Sequence, residues 1–156
     1  MLLFSCAHAD KAALLGKIVR FVTHSKPKKP LNYALRGKKH PKTGVSFSRS
    51  GYPKFHAVTT CDMRLSWFTI QFDKFSSDAS VRAKHFAICS RQLYKKVLKD
   101  PKLRARFNRK QLAQLRKGKT PNGYTWHHTP KKNTLQLVDR DTHAQTARSG
   151  GFSIYH

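Results

Sequence analysis

Acidic residues are scarce in this chain of 156 residues, and glutamate is absent from it. The chain has seven aspartates and 32 lysines and arginines, which gives a formal net charge of +25. Such an excess of one sign repels itself in the compact state, so a polyanion or an acidic partner is expected to offset it. Nucleic acid is the obvious polyanion, because phosphate contacts dominate its binding. Charge alone equally fits a ribosomal-type or other basic protein without chemistry.

Cysteine is also rare. The chain has three cysteines, which is an odd number, and they are widely spaced at Cys6, Cys61 and Cys89. No C-x-x-C pair occurs. We therefore expect neither a disulfide framework nor a zinc finger. All three cysteines are interpreted as small buried apolar residues.

Long apolar runs are missing as well. No segment approaches the ~20 apolar residues that a membrane span needs. The first seven residues, MLLFSCA, lack a preceding basic region, so no signal peptide is evident. The chain length and its two Trp, five Tyr and ten Phe instead predict one ordinary folded domain with a real core.

The first part of the chain divides into three stretches. Residues 11–22 carry apolar side chains at helical spacing. Residues 24–44 combine proline, glycine and many basic residues, which is typical of a basic arm or a solvated linker. In residues 45–72, apolar side chains alternate with polar ones in some stretches, and aromatic and β-branched side chains cluster in others. Both patterns are typical of strands. We predict an N-terminal helix and basic arm at 1–44, followed by a domain at 45–156.

The middle of the chain is predicted to be helical. Residues 78–98 carry an apolar stripe, with Ser77 or Asp78 as the helix cap. Asp100-Pro101 begins a second helix, and Asn108 caps a third that Gly118 ends. The predicted fold class is α+β, with a mostly helical N-terminal and middle part and a small antiparallel strand region.

The last third contains the most informative pattern. Tyr124-Thr125-Trp126-His127 reads as a strand, and a polar turn leads to a second strand at residues 134–138. Asp139 is placed to cap a helix that carries His143. The predicted order is therefore strand, turn, strand and helix in under thirty residues.

This order can bring three imidazoles together. One histidine near neutral pKa can deprotonate water, and two more can hold a divalent ion that stabilises phosphodiester hydrolysis. A nearby asparagine could fix the tautomer of the base. A His-His pair by itself is more often structural, and His56 and His85 are interpreted as ordinary surface or core residues. Trp126 is expected to anchor the core beneath the site.

The stretch from Lys119 to Gly151 resembles the WHH-type nuclease toxin domains of bacterial polymorphic toxin systems. These domains belong to the HNH, or ββα-metal, nuclease superfamily, like the colicin DNases. The resemblance is carried by Gly123-Tyr124-Thr125-Trp126-His127-His128, Leu135-Gln136-Leu137-Val138, His143 and Gly150-Gly151. Weaker similarity extends upstream to Gly44-Val45-Ser46-Phe47, Gly51-Tyr52-Pro53-Lys54-Phe55, Phe107, Gln111-Leu112, Leu115 and Gly118-Lys119-Thr120-Pro121.

The resemblance implies a role for each site residue within a ββα-metal motif at 123–151. His127 and His143 would be metal ligands, His128 the general base, and Asn133 the residue that orients it. Arg148 stands where the family usually has a second helix-side histidine. With two protein ligands, Mg²⁺ is favoured over tightly held Zn²⁺, with Mn²⁺ and Ni²⁺ as alternatives. Alternatively, Arg148 would contact the scissile phosphate directly. A third possibility is a weakened or inactive enzyme.

The resemblance also implies a biological role. The chain would be a metal-dependent endonuclease that cleaves DNA, in preference to RNA, with little sequence specificity. It would act as an antibacterial toxin, secreted or delivered into the cytoplasm of a target cell, and an acidic immunity protein would neutralise it. Two alternatives stay open: an HNH-type nuclease that serves its own cell, and a non-catalytic basic nucleic-acid-binding protein.

Overall fold

A computed structural model describes residues 29–65 and 78–146 of the chain. Cys6, the predicted helix at 11–22, the last residues of the strand-like region at 45–72 and Arg148 lie outside the described residues. In chain order, the strands and α-helices of the described residues are β1 (Ser46–Phe47), β2 (Pro53–Lys54), β3 (Thr59–Asp62), α1 (Asp78–Lys99), α2 (Pro101–Arg104), α3 (Arg109–Arg116), β4 (Tyr124–His128), β5 (Thr134–Asp139) and α4 (Arg140–Gln145).

The three helices in the middle of the chain begin where the sequence predicts, whereas α4 ends at Gln145, before the expected end at residues 148–151. α1 spans Asp78–Lys99, one residue longer than expected. The side chain of Asp100 accepts a hydrogen bond from the Leu103 amide, and Pro101 follows at the first helical position of α2. Asn108 caps α3 in a reciprocal capping box with Gln111. Each of these signals acts within three residues, so the local sequence is sufficient to set them.

The strands form two small antiparallel sheets. β1 and β2 pair as a short hairpin, and the second sheet has the order β3-β5-β4. β4 and β5 are joined by a turn in which Asn133 adopts a φ of 59°, a left-handed conformation that asparagine tolerates better than most residues. α4 follows β5 directly, with Asp139 as its cap accepting from the Thr142 amide at 2.7 Å. The predicted strand-turn-strand-helix order is therefore observed.

The core lies between α1 and one face of the three-stranded sheet. Cys89, Leu93 and Val97 of α1 are buried against Leu135 and Leu137 of β5. Leu115 of α3 and Phe107, which lies between α2 and α3, belong to the same buried cluster. The short helices therefore pack on the same core. Trp126 is also fully buried, and its Nε1 donates to Ser90 Oγ at 3.0 Å, so its predicted role as a core anchor is confirmed.

One prediction about cysteine is wrong. Cys61 of β3 and Cys89 of α1 form a disulfide, with their Cα atoms 5.6 Å apart. Both residues are buried, as expected, but as a covalent link and not as separate thiols. Packing of α1 across β3 brings together two residues that are 28 positions apart, which no spacing rule in the sequence could show.

The described part of the basic arm contacts the domain that follows it. Asn32 Nδ2 donates to the Thr146 carbonyl at 3.1 Å, and the hydroxyls of Thr43 and Thr146 lie 2.7 Å apart. Lys39 forms an isolated bridge with Ser46 of β1. The described residues thus form a mixed α+β fold with small antiparallel sheets. No helix in this part of the chain combines the length and the apolar character that crossing a membrane requires.

Candidate active site

The two adjacent histidines at the end of β4 point to opposite faces of the sheet. Successive side chains alternate across a strand, and the contacts follow this rule. His127 meets Phe55 and His143, whereas His128 meets His85 and Phe86 of α1. The structure therefore separates His128 from the other two predicted imidazoles. His127 pairs with His143, and His128 pairs with His85, which lies outside the predicted set.

The first pair joins β4 to α4. His127 Nδ1 lies 3.1 Å from His143 Nε2. Phe55 packs beside both rings, with centroid distances of 4.9 Å to His127 and 5.3 Å to His143. The predicted convergence of these two residues is observed, because α4 folds back onto the hairpin immediately after β5.

Burial controls the charge of His127. Only 4% of this residue is exposed. Loss of solvation, and secondarily the neighbouring His143, lower the pKa of His127 to about 4. The ring is therefore neutral at physiological pH. Its buried Nε2 has no hydrogen-bond partner among the described residues, and such an atom costs stability unless a further group satisfies it.

The second pair joins β4 to α1. His85 Nδ1 lies 2.9 Å from His128 Nε2, and His85 is 2% exposed. The interpretation of His85 as an ordinary residue missed this contact. A signal was present, because His85 lies four positions before Cys89 and so shares its buried helix face. That spacing shows burial, but it does not reveal which strand residue the imidazole meets.

The remaining predicted site residues are placed differently. Asn133 lies in the β4–β5 turn, where its carbonyl accepts from the Met63 amide at 2.8 Å. The hydrogen bonds described for residues 29–65 and 78–146 include none between Asn133 and His128. The structure brings His85 to His128 at the position that the sequence interpretation gave to Asn133.

A cleft of about 250 Å³ opens beside His127, between the two hairpins. Its lining includes Tyr52, Thr129, Gln136 and the exposed residue Lys54. Hydroxyl, amide and ammonium groups of this kind donate hydrogen bonds to phosphate and sugar oxygens. The cleft therefore gives a polyanionic ligand access to the His127 side of the sheet.

The His127–His143 pair fits two ligands of one divalent ion. Two nitrogens bound at about 2.0–2.1 Å, with an angle of about 90–110°, are roughly 2.8–3.4 Å apart, and the measured separation is 3.1 Å. The neutral state of His127 is the form that binds metal. Throughout residues 29–65 and 78–146, no group of three or more His, Cys, Asp or Glu side chains is arranged to hold an ion.

Basic residues extend over the helices as well. Arg104, Arg109 and Arg116 line a groove of about 550 Å³ with Tyr94 and Leu98. These features define a strongly basic α+β domain: the chain carries a net charge of +25, and the buried His127 lies beside a polar cleft.

Comparison with known families agrees with this class. The family described as the DNase/tRNase domain of colicin-like bacteriocin matches residues 45–150, which include both histidine pairs. The chain belongs to this family and is a nuclease toxin domain. No significant match was found among curated proteins or among solved structures.

Proposed function

We propose that this domain is a divalent-metal-dependent endonuclease of the WHH type, within the HNH or ββα-metal superfamily, and that it cleaves DNA. The observation that carries the proposal is the 3.1 Å approach of His127 Nδ1 to His143 Nε2 on a hairpin followed directly by a helix. The sequence Trp126-His127-His128 at the end of β4 supports the finer family assignment.

Each imidazole has a proposed task. His127 and His143 hold the ion, and Phe55 packs against both rings and limits their rotation. When bound, a divalent ion stabilises charge on the phosphate and assists the leaving oxygen. Mg²⁺ is the first candidate, since water and phosphate oxygens would complete its shell. Zn²⁺, Mn²⁺ and Ni²⁺ are the alternatives, since imidazole binds such ions well.

His128 is the proposed general base, although it lies on the other face of β4. β4 is an edge strand of the β3-β5-β4 sheet, and His128 is its last residue. A phosphodiester that lies across the strand end would therefore have one face towards His127 and the other towards His128. Arg148, which lies outside the described residues, is proposed to contact the scissile phosphate.

The proposed substrate is DNA, cut with little sequence preference. The family description covers both DNase and tRNase domains, so RNA is the alternative. A net charge of +25 favours phosphate contacts, which carry no sequence information. The strand-end geometry applies to either substrate, and the assay must include both.

The proposed biology is that of a delivered toxin acting in the cytoplasm of a target cell. The bacteriocin family supports this role. An acidic immunity protein is the proposed partner, because opposite charge gives rapid, steered association with a strongly basic chain. Expression that is toxic alone and harmless with a small acidic partner would support it.

Cleavage across metals tests the proposal. Plasmid DNA and tRNA would be incubated with purified protein after chelation and re-addition of Mg²⁺, Mn²⁺, Ni²⁺ or Zn²⁺. We expect metal-dependent nicking of plasmid that His128→Ala, His127→Ala and His143→Ala each abolish. His56→Ala is the matched control, because His56 is exposed and belongs to neither pair.

Two outcomes would contradict the proposal. Salt-sensitive DNA binding without cleavage in any metal would favour a non-catalytic basic protein. Cleavage that survives chelation, with His127→Ala fully active, would remove the proposed ion from the mechanism.

A further inference from the structure

We infer that His85 is a positioning residue for the nuclease reaction, because it holds the His128 ring in one orientation from the opposite side of the core. The inference rests on the proposed role of His128 as general base. The residue that orients His128 is then His85 of α1, which lies 43 positions before it in the chain. Asn133, to which the sequence interpretation gave this task, is not needed for it.

The contact is built into the packing of α1 on the sheet. Cys61, Leu135 and His128 lie in one row across β3, β5 and β4, because Leu135 is the cross-strand partner of both. His85 and Cys89 are one helical turn apart on α1. Cys89 is joined to Cys61 at one end of this row, and His85 meets His128 at the other. The helix is thus fixed to the row at both ends.

Burial makes the contact specific. His85 is 2% exposed, and its ring lies 5.1 Å from the His128 ring, centroid to centroid. The neighbouring Phe86 lies 5.8 Å from the same ring. The contact is part-buried, with His85 inside the core and His128 half-buried. Breaking it is costly on the His85 side, because a nitrogen inside the core would lose this hydrogen bond. Rotation of the His128 ring would have to break it, so this contact opposes rotation.

The contact also bears on which nitrogen of His128 serves the reaction. Nε2 of His128 meets His85, so in this inference proton uptake from water is assigned to Nδ1. A ring held in this way presents one defined nitrogen to the end of β4, as the orienting partner of a catalytic histidine does. Nothing in this role requires His85 to touch substrate.

Substitution of His85 provides the test. His85→Phe keeps an aromatic ring of similar size and removes the nitrogen. His85→Asn places an amide atom near the position of Nδ1. We expect His85→Phe to lower kcat for plasmid cleavage roughly 10–100-fold, as loss of an orienting partner does, with KM changed by less than about threefold. We expect His85→Asn to retain much of the activity.

Ser90→Ala is the matched structural control. Ser90 is as buried as His85 and also binds a β4 side chain, through the 3.0 Å bond from Trp126 Nε1. It should lower the Tm by a few degrees, as His85→Phe does, and leave kcat within about twofold. Nitrogen-detected NMR of the imidazoles gives a second readout. His128 should show one tautomer in the wild type and in His85→Asn, and a mixture in His85→Phe.

The outcomes separate this inference from the proposed function. If His128→Ala abolishes cleavage while His85→Phe keeps wild-type kcat and a single His128 tautomer, the inference is wrong and the nuclease proposal stands. If His128→Ala cleaves normally, the base assignment is wrong and the inference is lost with it. If Ser90→Ala lowers kcat as much as His85→Phe, the effect is general destabilisation of the α1–β4 contact, which also overturns the inference.

Discussion

Reduction of the Cys61–Cys89 disulfide should lower the stability of the domain without unfolding it. The bond closes a loop with a sequence separation of 28, for which chain entropy predicts a stabilisation of roughly 3–4 kcal/mol. In a chain of this length each kcal/mol shifts the Tm by about 2–4 °C. The expected decrease on reduction is therefore roughly 10 °C.

The fold should survive because other contacts join α1 to β3. Gln92 Nε2 donates to the Asp62 carbonyl at 3.1 Å, and Lys96 Nζ to the Thr60 carbonyl at 2.9 Å. The buried core between the helix and the sheet is also kept. Reduced protein should therefore keep its far-ultraviolet circular dichroism at 25 °C and melt in one transition.

The assay is thermal denaturation with and without a phosphine reductant, followed by circular dichroism and by tryptophan fluorescence. The double variant Cys61→Ser with Cys89→Ser is the control, and its Tm should not respond to reductant. A Tm that changes by less than about 2 °C on reduction of the wild type would refute the reasoning. Native protein in which thiol reagents titrate both cysteines without reductant would do the same.

Three further predictions concern the cap of α3, the burial of His127 and the basic groove. Asn108→Ala removes the capping hydrogen bond that the Asn108 side chain accepts from the Gln111 amide and should cost about 1 kcal/mol, measured as a Tm decrease of roughly 2–4 °C; an unchanged Tm would show that the cap is dispensable. The lowered pKa of His127 means that the unfolded chain binds a proton more readily, so stability should fall as pH decreases from 6.5 towards 4. The loss is on the order of 3 kcal/mol, measured by urea denaturation with chelator present, and His127→Gln should flatten this dependence. Alanine at Arg104, Arg109 and Arg116 together should reduce the salt dependence of DNA binding, with the log–log slope less steep by about one for each arginine that contacts phosphate; an identical slope in fluorescence anisotropy titrations would exclude the groove from the DNA interface.

Elements stabilised by near neighbours were predictable from the sequence. The Asn108 cap, the proline at the start of α2 and the β4–β5 hairpin each depend on residues a few positions apart. The same holds for the approach of His143 to His127, since α4 begins immediately after β5 and is only six residues long. Short connections leave a chain few alternative paths, so local chemistry was sufficient there.

The partners of His128 were decided at longer range. The alternation of a strand separates His127 from His128, but it does not say what each face meets. His85 lies 43 residues before His128 and reaches it only because α1 packs across the sheet.

The disulfide has the same origin. Cys61 and Cys89 are brought together by the packing of α1 on β3. Composition and local pattern determined a basic α+β chain with a strand-turn-strand-helix segment. Only the tertiary fold decided which imidazoles and which thiols face one another, because contacts between distant segments depend on the packing of whole elements.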